Sequence, residues 1–285
     1  MTSVAAPAPT AAVTRRRFQP RPLRVGLFLV MAAGSAAMLY PFLFMIDTSF
    51  RSEAQYLDGS GHSLSSWGKL FAALPIGQQL ANSTLVCASA LAIILALSST
   101  AGYAFAKLRY RGGILVFLGI VSAMLIPMQS IIIPAYVNLS GLGLLDSYWG
   151  AVLIYAALGT PFATFLMTAF YRGLPDELVE AAIVDGLGYA TIYRRIALPL
   201  STPAIATVAV LQFIQIWDDL LVGLLFLQNP DERTITVGLG VLSAGRVTDI
   251  PVLMAGSLLS AIPAVIVYLA LQRYLVSGLT AGIGK

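Results

Sequence analysis

The chain has 285 residues, of which 58% are hydrophobic and only 11% are charged, with a net charge of +4 and a mean hydropathy of +0.84. Soluble domains carry about a quarter charged residues, so this composition excludes an ordinary water-soluble globular protein. The apolar runs are long and continuous rather than alternating, which favours an all-α polytopic membrane protein over a β-barrel. One cysteine, Cys87, and one histidine, His62, exclude a disulfide framework and indicate no metal site.

Two regions are predicted in chain order. Residues 1–23 are rich in Ala, Pro and Thr and carry four arginines, which predicts a flexible basic tail. Residues 24–285 are predicted to form one transmembrane domain of six helices, each of about 22 to 26 residues and so long enough to cross a bilayer. The first span is expected to be retained in the membrane rather than cleaved as a signal peptide. The predicted spans are Arg24–Ile46, Asn82–Ala106, Gly113–Val137, Tyr148–Tyr171, Thr202–Leu227 and Val252–Tyr274.

The distribution of lysine and arginine predicts the orientation. If the N-terminus is cytoplasmic, 13 of the 17 basic residues lie on the inside and four on the outside. Because basic residues collect in cytoplasmic loops, both termini and the 171–201 loop are predicted to be cytoplasmic. The outer segments, 47–81 and 228–251, are long enough to meet a partner outside the cell, although they also suit plain connecting loops.

The 171–201 loop has the signals of a short helix of about three turns. Pro175 suits the first turn, and two acidic residues follow it where the helix dipole favours negative charge. Gly186 and Gly188 are expected to end the helix by adopting backbone angles that other residues resist. The Ala181–Ala182 step has no bulk, so another backbone can come close. From these residues alone, docking into a partner's groove and lying on the membrane surface are equally good explanations.

The spacing from Glu180-Ala181-Ala182 through Gly186 to Ile196-Ala197-Leu198-Pro199 resembles the EAA motif of the membrane subunits of bacterial ABC importers. Further segments, extending from about Asn82 to the end, are similar to the six-span permease of the maltose-type carbohydrate importers. These segments are Ala101–Tyr110, Ile126-Pro127, Asp185-Gly186, Pro199 to Pro203 and Gly278–Gly282. Two departures occur: Leu187 stands where the family usually has a small residue, and Trp217-Asp218-Asp219 replaces Trp-Asn-Glu or Trp-Asn-Asp.

The resemblance implies the type I importer permease fold and a multi-pass location in the bacterial cell membrane. It implies four kinds of partner: the lipid bilayer, a dimer of ATP-binding subunits that hold ATP and Mg²⁺, a second homologous permease and an extracytoplasmic sugar-binding protein. No nucleic acid is implied. It also implies that the loop couples this chain to the ATPase. The implied coupling residues are Glu180, Ala181, Ala182, Asp185, Gly186, Tyr193 and Arg194.

A polar stripe marks a candidate pathway through the membrane. Gln212, Gln215 and Asp219 are spaced i, i+3 and i+7 and would share one helix face, with Asp218 beside them. Carboxylates at membrane depth usually face a bundle interior or a water-filled cavity. The stripe therefore suits a hydrophilic cavity for a solute, or contacts that hold spans or a partner permease together. Prolines at 127, 134 and 161 are expected to kink spans three and four.

No catalytic constellation is present in the sequence. It lacks the glycine-rich phosphate loop of an ATPase, and one histidine in a flexible loop makes no credible Ser-His-Asp triad. The chain is therefore expected to be no enzyme and to hold no cofactor. The alternatives are an ABC permease for another small solute, such as an amino acid, peptide or phosphate ester, and an ion-coupled secondary transporter that uses Asp218 or Asp219.

Overall fold

A computed structural model describes residues 22–108, 110–245 and 249–281. Within these ranges the chain forms α-helices with short 3₁₀ and π turns and no β-strand. The predicted tail lies almost wholly outside the described residues, as does Gly282 at the end of the C-terminal motif. The all-α fold class is confirmed.

Seven helices lead up to the 171–201 loop. They are α1 (Pro22–Ser49), α2 (Glu53–Asp58), α3 (Ser65–Ala73), α4 (Ile76–Lys107), α5 (Gly113–Ser122), α6 (Met128–Gly141) and α7 (Tyr148–Gly173). Seven more follow: α8 (Asp176–Val184), α9 (Tyr189–Ile192), α10 (Leu198–Leu200), α11 (Thr202–Trp217), α12 (Leu221–Phe226), α13 (Ile235–Ser243) and α14 (Ile250–Ala281). The 3₁₀ turns are Ala123–Leu125 and Pro230–Glu232, and a π turn covers Tyr193–Ala197.

Four described helices are long and apolar enough to cross a membrane by themselves. Two further spans are made of bent pairs, so that the total reaches the predicted six when each pair counts as one. The third span consists of Gly113–Leu125 and Met128–Gly141, bent by 100°. Pro127 stands at this bend, where it ends one helix and precedes the next. The prolines at 134 and 161 lie inside α6 and α7.

The fifth span differs from the prediction of one continuous helix over Thr202–Leu227. Helix α11 ends at Trp217, and α12 begins only at Leu221. The Asp219 carboxylate lies within the break and accepts a hydrogen bond from the backbone N–H of Val222, at 2.8 Å, which satisfies a donor in the first turn of α12. At its other end, α11 is joined to the preceding segment, Tyr189–Leu200, through a bend of 71°.

The core of residues 45–285 is built around α4 and α7, which pack along each other through small side chains. At the closest point, a Cβ added to Gly102 would lie 2.7 Å from the Cβ of Met167 and 2.9 Å from the backbone nitrogen of Thr168. Small residues favour such close packing in membranes because lipid is as apolar as the helices, so that contact and hydrogen bonding drive association. Ala90, Ala156 and Ala163 continue this buried interface.

The chain divides into two compact units, Met1–Phe44 and Met45–Lys285. In the first unit, every described side chain from Val25 to Phe44 is exposed, and most are apolar. An apolar helix without burial inside its own chain needs lipid or another protein around it. This unit is therefore typical of a membrane span.

The outer segments of the second unit are folded rather than open loops. Helices α2 and α3 lie in the first segment and α13 in the second. The Lys69 ammonium pairs with the Asp249 carboxylate at 2.6 Å, and this contact raises the pKa of Lys69. The Asn82 amide donates hydrogen bonds to the carbonyl oxygens of Asp231 and Arg233. The first contact thus joins the two outer segments to each other, and the second fastens the 228–251 segment to α4.

The close approach of α4 and α7 predicts that Gly102→Ala lowers the stability of the chain. The added methyl group meets a Cβ and a backbone atom, neither of which can move aside easily, so we expect a loss of about 1–3 kcal/mol. Gly119→Ala in α5 is the matched control, because nothing lies within 4 Å of its added Cβ. Thermal unfolding midpoints in mild detergent compare the two variants, and equal midpoints would contradict the packing argument.

Candidate functional site

Helix α8 is the short helix predicted in the 171–201 loop, and its end is fixed by Gly186. This residue has φ of 81°, in the left-handed region, as predicted. The N–H of Gly186 donates to the Ile183 carbonyl and that of Leu187 donates to the Ala182 carbonyl, which is the Schellman arrangement. Leu187, the departure from the family pattern, packs against the core, as is common after such a turn.

Two expected details of this helix differ in the structure. Gly188 has φ of −77° and extended backbone, so it precedes α9 and takes no part in ending α8. Pro175 stands just before the first helical residue rather than within the first turn. The Schellman turn at Gly186 already ends α8 without Gly188. Asp176 and Glu177 form the first turn without Pro175.

The predicted coupling residues fall into two groups. Five are exposed, namely Glu180, Ala181, Asp185, Gly186 and Arg194. The other two face the chain itself: Ala182 is 5% exposed and Tyr193 is partly buried. The loop therefore offers a partner one small residue of the Ala-Ala step, while the second fills its own core.

A buried ammonium group fastens the start of α8 to the membrane helices. Lys107, at the end of α4, has only 3% of its side chain exposed. Its Nζ donates to the Leu174 carbonyl at 2.6 Å and pairs with Asp176 Oδ1 at 2.5 Å. Sequence reasoning missed this role because the partners are 67 and 69 residues from Lys107 in the chain. A cavity of about 270 Å³ lies beside this contact and is lined in part by Glu180 and Tyr189.

The end of the loop is joined to the spans by a chain of four hydroxyl groups. Tyr193 OH donates to Ser99 Oγ at 3.0 Å, Ser99 Oγ lies 2.8 Å from Tyr171 OH, and Tyr171 OH lies 3.0 Å from Ser201 Oγ. Ser201 Oγ donates to the Leu198 carbonyl. Since each hydroxyl has one hydrogen to donate, these end bonds require that Ser99 donates to Tyr171 and Tyr171 donates to Ser201.

This hydroxyl chain lies where the backbone changes direction. Tyr193 begins the π turn, and Ser201 stands between α10 and α11 at the 71° bend. The Tyr103 ring packs against the rings of Tyr171 and Tyr193, at centroid distances of 5.7 and 5.3 Å. π turns are rare and often mark functional positions. The residues that could transmit a displacement of the loop are therefore concentrated at this joint.

The predicted polar stripe lines a second cavity, of about 310 Å³. Gln212, Gln215 and Asp219 all contribute to its wall, together with Tyr155 of α7. Asp219 does so although α11 ends before it. Asp218 does not line this cavity; it is exposed and caps the end of α11.

The stripe residues have different environments. Gln212 is 2% exposed, and its amide donates to the Gly159 carbonyl at 3.3 Å, so it joins α11 to α7. Gln215 is exposed. Oδ1 of Asp219 accepts from Tyr155 OH at 3.0 Å and from the Val222 N–H, which leaves Oδ2 without a hydrogen-bond partner among the described residues. The cavity thus offers an exposed amide and a free carboxylate oxygen.

These features define a class of protein: a polytopic helical membrane protein with a short exposed helix, α8, at one end of its spans and a polar cavity between them. In the described part of the chain, no group of three or more His, Cys, Asp or Glu side chains could hold a metal ion.

The sequence profile of the family described as "Binding-protein-dependent transport system inner membrane component" matches residues 97–281, and the chain belongs to this family. An osmoprotective compounds uptake permease protein of Synechocystis sp. is 36% identical over 220 residues, which cover 77% of this chain and 74% of that protein. A maltodextrin transport system permease protein of Bacillus subtilis is 30% identical over 264 residues, covering 91% and 95%.

The fold is similar to a chain in the crystal structure of a bacterial ABC transporter involved in the import of the acidic polysaccharide alginate. The TM-score is 0.76 at 25% identity, and the match covers 90% of this chain and 99% of that one. The predicted ABC importer permease family and its helical fold are therefore confirmed. The family match includes the 171–201 loop, whereas the roles of individual coupling and pathway residues stay predictions.

The hydroxyl chain predicts that Tyr171→Phe destabilises the joint. The substitution removes the hydroxyl that bridges Ser99 and Ser201, both buried, so that Ser99 loses its acceptor and Ser201 loses its donor. We expect a loss of about 1–3 kcal/mol, seen as a lower thermal unfolding midpoint in detergent. Tyr268→Phe, at an exposed position of α14, is the matched control. If both variants unfold at the wild-type temperature, the hydroxyl chain does not hold the joint.

Proposed function

We propose that this chain is one permease subunit of an ATP-driven carbohydrate importer, forming half of the path along which the sugar crosses the membrane. The observation that carries the proposal is α8, a capped helix that presents Glu180 and Ala181 outward from the 171–201 loop. Relatives named for maltodextrin, for melibiose, raffinose and stachyose, and for diacetylchitobiose support a carbohydrate as the solute. Each of these aligns with 87% or more of the chain.

In this proposal the chain itself does no covalent chemistry. ATP and Mg²⁺ are bound by a pair of separate ATP-binding subunits, one of which receives α8 in a surface cleft. A second, homologous permease completes the path, and an extracytoplasmic sugar-binding protein delivers the solute. The permease converts closure of the ATPase pair into rearrangement of its spans.

The coupling residues have separate tasks. Glu180 is an exposed carboxylate that pairs with a basic group or donor on the ATPase, and Ala181 lets the two backbones approach. Gly186 sets the turn after the helix, and Asp185 and Arg194 border the contact. A push on α8 reaches α4 and α7 through the Lys107 contacts. Tyr193 relays it to α11 through the hydroxyl chain.

The distribution of basic residues supports an orientation in the bacterial plasma membrane with both termini and α8 in the cytoplasm. The opposite side then carries α2, α3 and α13. These helices provide a folded outer surface for the sugar-binding protein.

The cavity beside α11 supports a role in the sugar pathway. Sugar hydroxyls both donate and accept hydrogen bonds, and Gln215 and Asp219 Oδ2 provide complementary groups at the wall. Gln212 is occupied with Gly159 and serves to hold α11 against α7. The path is completed by the facing wall of the second permease.

The proposal is tested by affinity purification of the full chain from its native membrane, with mass spectrometry of the proteins that stay bound. We expect an ATP-binding subunit, a second permease and a solute-binding protein that binds a carbohydrate in a panel of labelled solutes. Recovery of the chain without an ATPase, together with uptake driven by an ion gradient, would overturn the importer. A binding protein that takes only an amino acid, a peptide or a phosphate ester would overturn the carbohydrate assignment.

The coupling role predicts that Gly186→Ala lowers uptake per ATP hydrolysed. A side chain in the left-handed conformation costs about 1–2 kcal/mol, and the strain falls on the Schellman turn that sets the end of α8. Gly188→Ala is the matched control, since its backbone is extended and its added Cβ meets nothing within 4 Å. Both are measured in proteoliposomes as solute imported per phosphate released. Equal ratios for the two variants would contradict the role of the turn.

A further inference from the structure

A third cavity, of about 490 Å³, includes none of the predicted coupling residues and none of the polar stripe. It forms where α4 ends, α5 begins and α7 ends, so it lies at the level at which three spans leave the membrane. Its lining consists of Phe105, Leu108, Tyr110, Arg111, Gly113, Ile114, Phe117 and Arg172. Aromatic and aliphatic groups make most of the wall, and Arg111 and Arg172 are the charged groups among its described residues.

Neither arginine is neutralised by a carboxylate among the described residues. The four ion pairs among the described residues involve Asp47, Lys69, Lys107 and their partners. None of these pairs includes Arg111 or Arg172. The guanidinium of Arg172 lies 5.3 Å from the centroid of the Phe117 ring, and this ring is 8% exposed. The cation–π contact holds the guanidinium over the cavity while leaving its N–H groups free to donate. Two positive charges at one apolar recess, of which Arg172 is oriented by Phe117, favour an anion.

The cavity continues into an apolar surface. Along α5, which starts at its edge, the side chains of Ile114, Leu115 and Leu118 are 59%, 72% and 52% exposed. A ligand that fills the cavity and then follows α5 must carry a negative head and an apolar tail. Guanidinium groups match phosphate oxygens with paired hydrogen bonds, and basic recesses between spans are suited to anionic headgroups.

We propose that this cavity binds the phosphate group of an anionic phospholipid, with Arg111 and Arg172 on the phosphate and the acyl chains along α5. The lipid lies in the leaflet that faces α8, which the proposed orientation makes the cytoplasmic one. The site requires only that the chain spans a bilayer. The lipid site and the carbohydrate assignment can therefore be tested independently of each other.

The test uses the purified transporter complex in neutral detergent and native mass spectrometry of bound lipid. The probe is dioctanoyl phosphatidylglycerol, compared with dioctanoyl phosphatidylcholine and with inorganic phosphate as competitor. We expect phosphatidylglycerol to bind in preference to phosphatidylcholine, with about fivefold loss of affinity for Arg111→Gln and for Arg172→Gln, and about 25-fold for both together. Arg195→Gln, which removes an exposed arginine of the 171–201 loop, should leave the affinity unchanged.

Three results would overturn the proposal. Equal phosphatidylglycerol affinity for the wild type and the double variant would remove the site. An equal loss in Arg195→Gln would show a general effect of net charge. Displacement of the lipid by an equal concentration of inorganic phosphate would assign the site to a soluble phosphate. If the double variant does not assemble, Arg172→Lys keeps the charge but loses the paired donors and should still weaken phosphatidylglycerol binding.

Discussion

The approach of α4 to α7, which leaves no room for a side chain at Gly102, is the constraint on which the functional features depend. In a bilayer the hydrophobic effect does not drive two helices together, so small residues and hydrogen bonds decide whether they meet. Because the helices are close, Ser99 reaches Tyr171 at 2.8 Å and Lys107 reaches the carbonyl of Leu174. Both attachments of the 171–201 loop are therefore consequences of one packing contact.

Helix α11 connects the hydroxyl chain at the end of the 171–201 loop to the polar cavity. It begins beside Ser201, at the 71° bend, and its last turn holds Gln215 beside the polar cavity. Its 16 residues make a rod of about 24 Å, so one degree of rotation at the bend moves the far end by about 0.4 Å. Under the proposed function, a small displacement at the loop is enough to reshape the cavity wall. The hydroxyl chain at the bend is well placed to limit that rotation.

Local signals allowed the sequence to predict much of this structure. Six apolar segments, the helix α8 and the left-handed turn at Gly186 depend on neighbouring residues, so they can be recognised from a short stretch of sequence. The break at residues 218–220 could not be predicted, because the Asp219 carboxylate within it bonds both the first turn of α12 and Tyr155 of another span. The contacts of Lys107 and Tyr171 could not be predicted either, since their partners are distant in sequence. The prediction for Gly188 is wrong for a different reason. Glycine suits the turn that ends α8, but Gly186 already makes that turn.

The geometry of Asp219 also bears on the time that a solute spends in the cavity. One carboxylate oxygen is occupied by the protein, so a single oxygen of this group remains for a passing hydroxyl. A hydrogen bond to a charged group is worth about 1.5–3 kcal/mol net, so a second bond of this kind would lengthen a dwell time by about another 10- to 150-fold. A pathway must hold its cargo weakly enough to release it. Under the proposed function, partial self-occupation of Asp219 keeps the energy well shallower and favours turnover over retention.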